Sequence, residues 1–275
     1  MISTRYALFL ALFSLLAPSP TFAVERAVLR IGGTGSAAGT FKQLAEAFQK
    51  ANPGIEIRYI SSLGSSGAIK ALQAGTLEIA LSARNLKSSE QPLRAQEIGR
   101  TPLVIAVSLK NSAHSISLEE LARMIEGSLT TWPDGSPLRL ILRPDSDTET
   151  VYLRAISPRL DLALNTARKR PGLQLAITGQ DAADALEKIP GALGLSTLTL
   201  IVSEKRALKP LKLDGKQASV ATLASGEYPY YKPIFAVTLA QPSDATQAFI
   251  AFIQSGSGAR ILSSNAYLPS IPATP

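Results

Sequence analysis

The chain of 275 residues contains no cysteine. That excludes disulfides, thiolate metal sites and a thiol nucleophile. It also removes the cysteine on which a lipid-anchored export signal depends. Histidine occurs once, as His114, in the polar stretch Lys110-Asn111-Ser112-Ala113-His114. That stretch reads as a surface loop, so neither a triad nor a metal site is expected around it. No serine stands in an S-x-x-K or G-x-S-x-G context; Ser66, for instance, has Ile69 three residues on. Beyond the N-terminus no apolar run approaches the roughly 20 residues that a membrane span needs. No lysine or arginine run is interleaved with aromatics. This argues against nucleic acid as a partner, despite a net charge of +7. Repeats and low-complexity linkers are also missing.

What is present begins with a leader. Arg5 precedes the short apolar run ALFLALFSLLA, which Pro18-Ser19-Pro20 breaks, and Thr21-Phe22-Ala23 offers a cleavage site. Residues 1–23 therefore read as a cleavable signal peptide. The expected location is the periplasm, without a lipid anchor. The remaining chain is long enough for one large or two modest cores.

Strand and helix patterns then alternate. Val28–Ile31 is a short apolar run, followed by the turn Gly32-Gly33-Thr34-Gly35-Ser36. Phe41, Leu44, Ala45 and Phe48 recur at helical spacing, with Asn52-Pro53-Gly54 as a stop. Ile55–Ile60 alternates as a strand. Ile69 and Leu72 mark a second helix that Gly75 closes. Ile79–Leu81 and the wholly apolar Leu103–Val107 read as buried strands. This is the rhythm of a parallel sheet with helices on both faces. In the second half, Ser117 and Glu120 form a capping box, where Glu119 and Glu120 favour the helix dipole. Leu138–Leu142 is a strand ending at Arg143. Asp145–Asp147 caps a helix carrying Val151, Leu153 and Ile156. Pro158–Pro171 is basic and loosely patterned. A helix over Ala182–Leu186 and strands over Gly191–Leu198 and Ile234–Leu239 follow, then a helix over Ala245–Ile253.

Three strand-to-helix junctions share one chemistry. They are Thr34-Gly35-Ser36, Gly64-Ser65-Ser66-Gly67, and Arg143 with Asp145-Ser146-Asp147-Thr148. Each turns free backbone N–H groups and hydroxyls toward one point at the positive end of a helix dipole. Singly, each is no more than a cap or tight turn. Together at strand ends, with Arg84 and Arg143, they outline a site for a small oxyanion. Gly33-x-Gly35-x-x-Ala38 also mimics a dinucleotide fingerprint. However, Ser61-Ser62 stands where a ribose-binding acid is required. No cofactor is expected.

Seven segments in collinear order carry a family resemblance. They are GGTGSAAGTF, SSLGSSGAIKAL, IALSARNLKSSE, SLEELARMIEGSLTTWPDGSPLRLILR, IPGALGLSTL, SGEYPYYKPIFAVTL and FIAFIQSGSGARILSSNAYLPS. Over nearly the whole mature length the chain resembles the PstS-like phosphate-binding proteins of ABC importers, a branch of the type II periplasmic binding proteins. The resemblance implies a two-lobed α/β clamshell. Each lobe would be a mainly parallel sheet flanked by helices, with two crossing strands as hinge. Residues 24–108 and 222–275 would form one lobe and 109–221 the other. The protein would be no enzyme. It would be a monomer that takes phosphate or a similar oxyanion, with the membrane permease of an importer as partner. Carried onto this chain, Ser36, Ser65 and Arg143 match the family's ligand-binding positions. Thr34, Gly35, Ser66 and Gly67 are their neighbours, and Arg84 matches an arginine after the third strand.

Two departures bear on the ligand. Some phosphate binders place an acid after the third strand, where this chain has Ser82-Ala83-Arg84. The family's Ser-Gly-Thr turn reads Asp147-Thr148-Glu149. Two acids there repel an anion unless they pair with Arg84, Lys70 or Arg143, or unless Asp147 caps its helix and points away. Asp147 and Thr148 are therefore candidate site residues too. The alternative that stays open is a periplasmic sensor or accessory module for another anionic or zwitterionic ligand.

Overall fold

A computed structural model describes residues 26–61 and 63–270. The signal peptide assigned to residues 1–23 lies outside the described residues. The chain opens with β1 (Ala27–Gly33), α1 (Ala38–Ala51), β2 (Ile55–Ile60), α2 (Gly64–Gln73), β3 (Ile79–Ser82) and the long β4 (Arg94–Ser108). The middle holds β5 (Ser115–Ile116), α3 (Leu118–Glu126), β6 (Arg139–Leu142), α4 (Thr148–Ile156), α5 (Pro158–Arg168) and β7 (Gln174–Leu175). It continues through α6 (Gly179–Lys188), β8 (Ala192–Thr197), α7 (Leu198–Ser203), β9 (Leu208–Pro210), β10 (Lys212–Leu213) and α8 (Val220–Ala224). The chain then returns as β11 (Tyr231–Thr238), α9 (Asp244–Gln254), α10 (Gly256–Ser264) and β12 (Leu268–Pro269).

The main strands run in the order β2-β1-β3-β11-β4-β8-β6-β7. β1 pairs in parallel with β2 and β3, and β6 with β7 and β8. Between these parallel blocks lie antiparallel pairings made by β11 and β4. β4 ties the halves together: Arg94–Pro102 pairs with β11, and Leu103–Ala106 pairs with β8. Leu103–Val107 is buried throughout, as expected for a strand covered on both faces.

Two cores follow from this split. In one half, Phe41, Leu44 and Phe48 of α1 pack on β1 and β3 with Phe249 and Ile253 of α9. Phe48 and Phe249 meet edge to face at 5.1 Å. Ile69 and Leu72 of α2 cover the opposite sheet face. In the other half, one continuous core runs from Leu103 to Tyr228, and the Tyr228 hydroxyl donates to the Leu103 carbonyl at 2.7 Å. Each such buried side chain contributes on the order of 1.5–3 kcal/mol. The result is a two-lobed α/β clamshell with a cleft between its halves. Among the described residues, no helix is long and apolar enough to cross a membrane.

The capping box at Ser117 and Glu120 forms as the sequence implies, and α3 ends on Gly127 in the left-handed region. The stretch after Pro158 differs from its loose appearance. Residues to Arg168 are helical, with Ser157 accepting from the Leu160 N–H and Pro158 in the first turn. Leu160, Ala163, Leu164 and Ala167 are its buried stripe. Basic residues on the open face hide that period in the sequence.

Candidate functional site

The cleft encloses a cavity of about 700 Å³. Its first wall begins at the end of β1. A Cβ on Gly33 would stand 2.0 Å from the Leu81 carbonyl, so only glycine lets β1 pass so close to β3. The chain then turns, with the Thr34 N–H donating to Leu81 at 2.9 Å. Thr34-Gly35-Ser36 leads into α1 with no side-chain cap on the helix end. Gly64 has φ 63°, a left-handed conformation that suits glycine, and it opens α2, again uncapped by a side chain. The Gly64–Gly67 segment is thus the first turn of α2 itself. The Ser65 hydroxyl accepts from the Ala83 N–H at 2.9 Å, which leaves its proton free for another acceptor.

Arg84 lies on this wall but is fully engaged. Its Nε and Nη2 donate to the Ser66 hydroxyl at 3.3 and 3.2 Å. Nη1 reaches the Asn85 carbonyl and Glu90 Oε2, both at 2.9 Å. Nη2 also reaches Glu90 Oε1 at 2.7 Å. An arginine has five N–H donors, and these contacts use all of them. The Arg84 guanidinium in turn holds the Glu90 carboxyl down at about 2.

The facing wall is built by β6, α4 and α6. Arg143 directly follows β6 and is 6% exposed. Its Nη2 donates to Asp147 Oδ2 at 2.5 Å, while Nε and Nη1 have no hydrogen-bond partner among the described residues. Asp147 caps α4, accepting from the Glu149 N–H at 3.0 Å. It therefore caps the helix and pairs with Arg143 at once, while lining the cavity and not pointing away from it. Glu149 is 2% exposed. Its Oε1 accepts from Lys232 Nζ at 2.8 Å, and Oε2 sits 3.6 Å from Arg143 Nη1 without a hydrogen bond. Neither acid pairs with Arg84 or Lys70. Burial pushes the Asp147 carboxyl up, with Glu149 adding to the effect against Arg143 and Lys232. For Glu149 burial is the strongest influence and works upward, but Lys232 and Arg143 together outweigh it and hold the carboxyl below its usual range.

All ten residues singled out in the sequence line the cavity: Thr34, Gly35, Ser36, Ser65, Ser66, Gly67, Arg84, Arg143, Asp147 and Thr148. Lys232 was not foreseen. It stands early in β11, 3% exposed, and also donates to the Ser36 hydroxyl at 3.1 Å. Its only sequence signal is a lysine just ahead of a continuous apolar strand. The start of α6 was also missed, because its periodic residues begin only at Ala182. Gln180 Nε2 crosses the cleft to the Gly35 carbonyl at 2.9 Å. The Tyr152 hydroxyl crosses to the Ala83 carbonyl at 2.8 Å. Among the described residues no cluster of three or more acids and histidines is placed to hold a metal ion.

A family model described as a PBP superfamily domain matches residues 20–257. The phosphate-binding protein PstS 2 of Streptococcus pneumoniae is 35% identical over 105 residues, 38% of this chain and 36% of that protein. The chain thus aligns with about a third of that relative's length. The phosphate-binding protein PstS of Bacillus subtilis is 22% identical over 240 residues, covering 82% of this chain and 75% of that protein. A Clostridium perfringens protein crystallised with bound phosphate superposes with a TM-score of 0.76 at 20% identity, covering 88% of this chain and 99% of that one. At that identity the likeness is one of fold.

Proposed function

The chain belongs to the PBP superfamily, and from that premise we propose that it captures phosphate or a related small oxyanion between its lobes. It then delivers the ligand to the membrane permease of an ABC importer, acting in the periplasm as a monomer and performing no chemistry. The observation that carries this reading is Arg143. A buried guanidinium with Nε and Nη1 unpartnered lines the same cavity as the starts of two helices that carry no side-chain cap. Unpartnered buried donors are costly, and an oxyanion satisfies them with charge-assisted, bidentate geometry. Ser36 and Ser65 with the backbone N–H groups of Gly35 and Ser66 supply fixed donors from the opposite wall, flanked by Thr34 and Gly67. Ser66 completes that wall, and Asp147 and Thr148 complete the facing one. Arg84 acts by holding Ser66 rather than by touching the ligand. The lobes hinge about β4 and the segment entering β11, with the boundary near Leu103 and just ahead of Tyr231.

Calorimetry with inorganic phosphate tests the reading. The wild-type protein gives a binding isotherm, and Arg143→Ala weakens it about a hundredfold or more, as loss of charged hydrogen bonds of roughly 1.5–3 kcal/mol each requires. A wild-type protein that gives no heat with phosphate refutes the ligand assignment. The second reading, a sensor or accessory module, draws on the Asp147 and Glu149 carboxylates beside the seat. Pull-down of a sensor protein instead of a permease by the phosphate-loaded form decides for it.

A further inference from the structure

We propose that the cluster of Arg143, Asp147, Glu149 and Lys232 restricts the cleft to oxyanions bearing a single negative charge. This rests on the oxyanion reading above and narrows it. The charged side chains lining the cavity are Arg84, Arg143, Lys232, Asp147 and Glu149. Arg84 is neutralised by Glu90 at 2.7 Å. Arg143 and Lys232 are matched by the two acids they contact, Asp147 at 2.5 Å and Glu149 at 2.8 Å. Of the other groups near the seat, Glu204 is paired with Arg206 at 2.8 Å, and burial keeps the Tyr152 and Tyr267 hydroxyls neutral. The side chains therefore sum to zero.

The remaining positive potential comes from helix ends. Those of α1 and α2 carry no side-chain cap. The end of α4 is covered by Asp147, and that of α6 by a capping box of Thr178 and Asp181. A free helix N-terminus is equivalent to about half a positive charge, so two of them match about one negative charge. A dianion would leave its second charge uncompensated beside a carboxylate that is 2% exposed. Hydrogen bonding points the same way. Arg143 Nε and Nη1 need acceptors, whereas Glu149 Oε2 needs a donor. A protonated oxyanion supplies both. A proton taken up by Asp147 would add one positive charge and bring the site level with a dianion, but that complex holds the same number of protons as the monoanion beside ionised Asp147, so affinity still falls as pH rises.

Phosphate changes from monoanion to dianion in the neutral range, which makes it its own probe. Calorimetry from about pH 6 to about pH 9 is expected to show phosphate affinity falling, approaching about tenfold per pH unit once the dianion dominates. Sulfate, a dianion throughout, gives no heat. Glu149→Gln flattens the pH profile and admits sulfate. Affinity that is flat or rises with pH, or sulfate binding as tight as phosphate, overturns the inference while leaving the oxyanion reading intact. Absence of phosphate binding at every pH overturns both. Should Glu149→Gln fail to melt cooperatively, the wild-type pH profile and the sulfate titration decide alone.

Discussion

Arg84 and Arg143 stand on opposite walls of one cleft, yet their surroundings differ in kind. Arg84 has a partner for each of its five donors, from Ser66, Asn85 and Glu90. Arg143 has one hydrogen-bonded nitrogen and two without partners. The first wall is thus a finished framework, in which the arginine fixes the geometry of a serine turn. The second is an unfinished one, in which buried charges await another group. A binding cleft needs both. The rigid wall sets where an anion sits, and the unsatisfied wall supplies the gain when it arrives. The difference also explains why two acids persist beside an anion seat. Asp147 and Glu149 keep Arg143 and Lys232 compensated in a site almost closed to water.

The largest test of this contrast removes the compensation. Lys232→Met leaves Glu149 buried beside Ser36 with no close cation except Arg143 at 3.6 Å. Breaking a buried pair from one side costs about 3–5 kcal/mol. In a domain of this size that lowers the unfolding midpoint by roughly 6–20 °C. Calorimetric melting checks the shift. The double variant Lys232→Met with Glu149→Leu is expected to recover most of it, because no orphaned charge remains. A single variant that melts like the wild type, or a double variant that recovers nothing, would mean that the cluster is not the buried ion pair described.

A smaller effect separates the two arginines directly. Lysine preserves charge but not the planar fork. Arg143→Lys should weaken phosphate binding about tenfold, the equivalent of about 1.4 kcal/mol. Arg84→Lys should change it by less than about threefold, since Arg84 reaches the ligand only through Ser66. Equal losses in the two variants would break the distinction between a framework and a ligand arginine.

Much of this was legible before the structure. The glycine-rich turns announce themselves locally, because Gly33 and Gly64 mark a close approach and a left-handed turn. Arg143 follows a strand whose apolar run ends on it. Lys232 was illegible for a physical reason. Its burial arises where β11 crosses to meet β4, with Lys232 opposite Thr101, and Glu149 lies 83 residues away in sequence. Local pattern contains no record of that meeting. The engagement of Arg84 was hidden likewise. Glu90 lies in a short turn at Ser88–Glu90, where its carboxylate also accepts from the Lys87 N–H at 2.7 Å. The α6 end escaped because its first turn, Gly179-Gln180-Asp181, carries no apolar periodicity.

The smallest expected effect acts on the finished wall. Glu90 is held at about 2 against an ordinary value of 4.5, chiefly by the Arg84 hydrogen bonds. A depressed acid lends stability that is complete above its unfolded value and lost as pH falls through the folded one. The Arg84–Glu90 contribution is therefore full above about 4.5 and fades toward about 2. Glu90→Gln removes the titration. The difference in melting temperature between wild type and this variant should accordingly shrink as the buffer is taken from pH 5 toward pH 2. At neutral pH the same variant leaves the Arg84 guanidinium without its compensating charge. Its phosphate affinity should then rise by a few-fold, a gain of under about 1 kcal/mol at a partly exposed site. A variant with unchanged affinity would show that the first wall is closed to the ligand by geometry and not by charge.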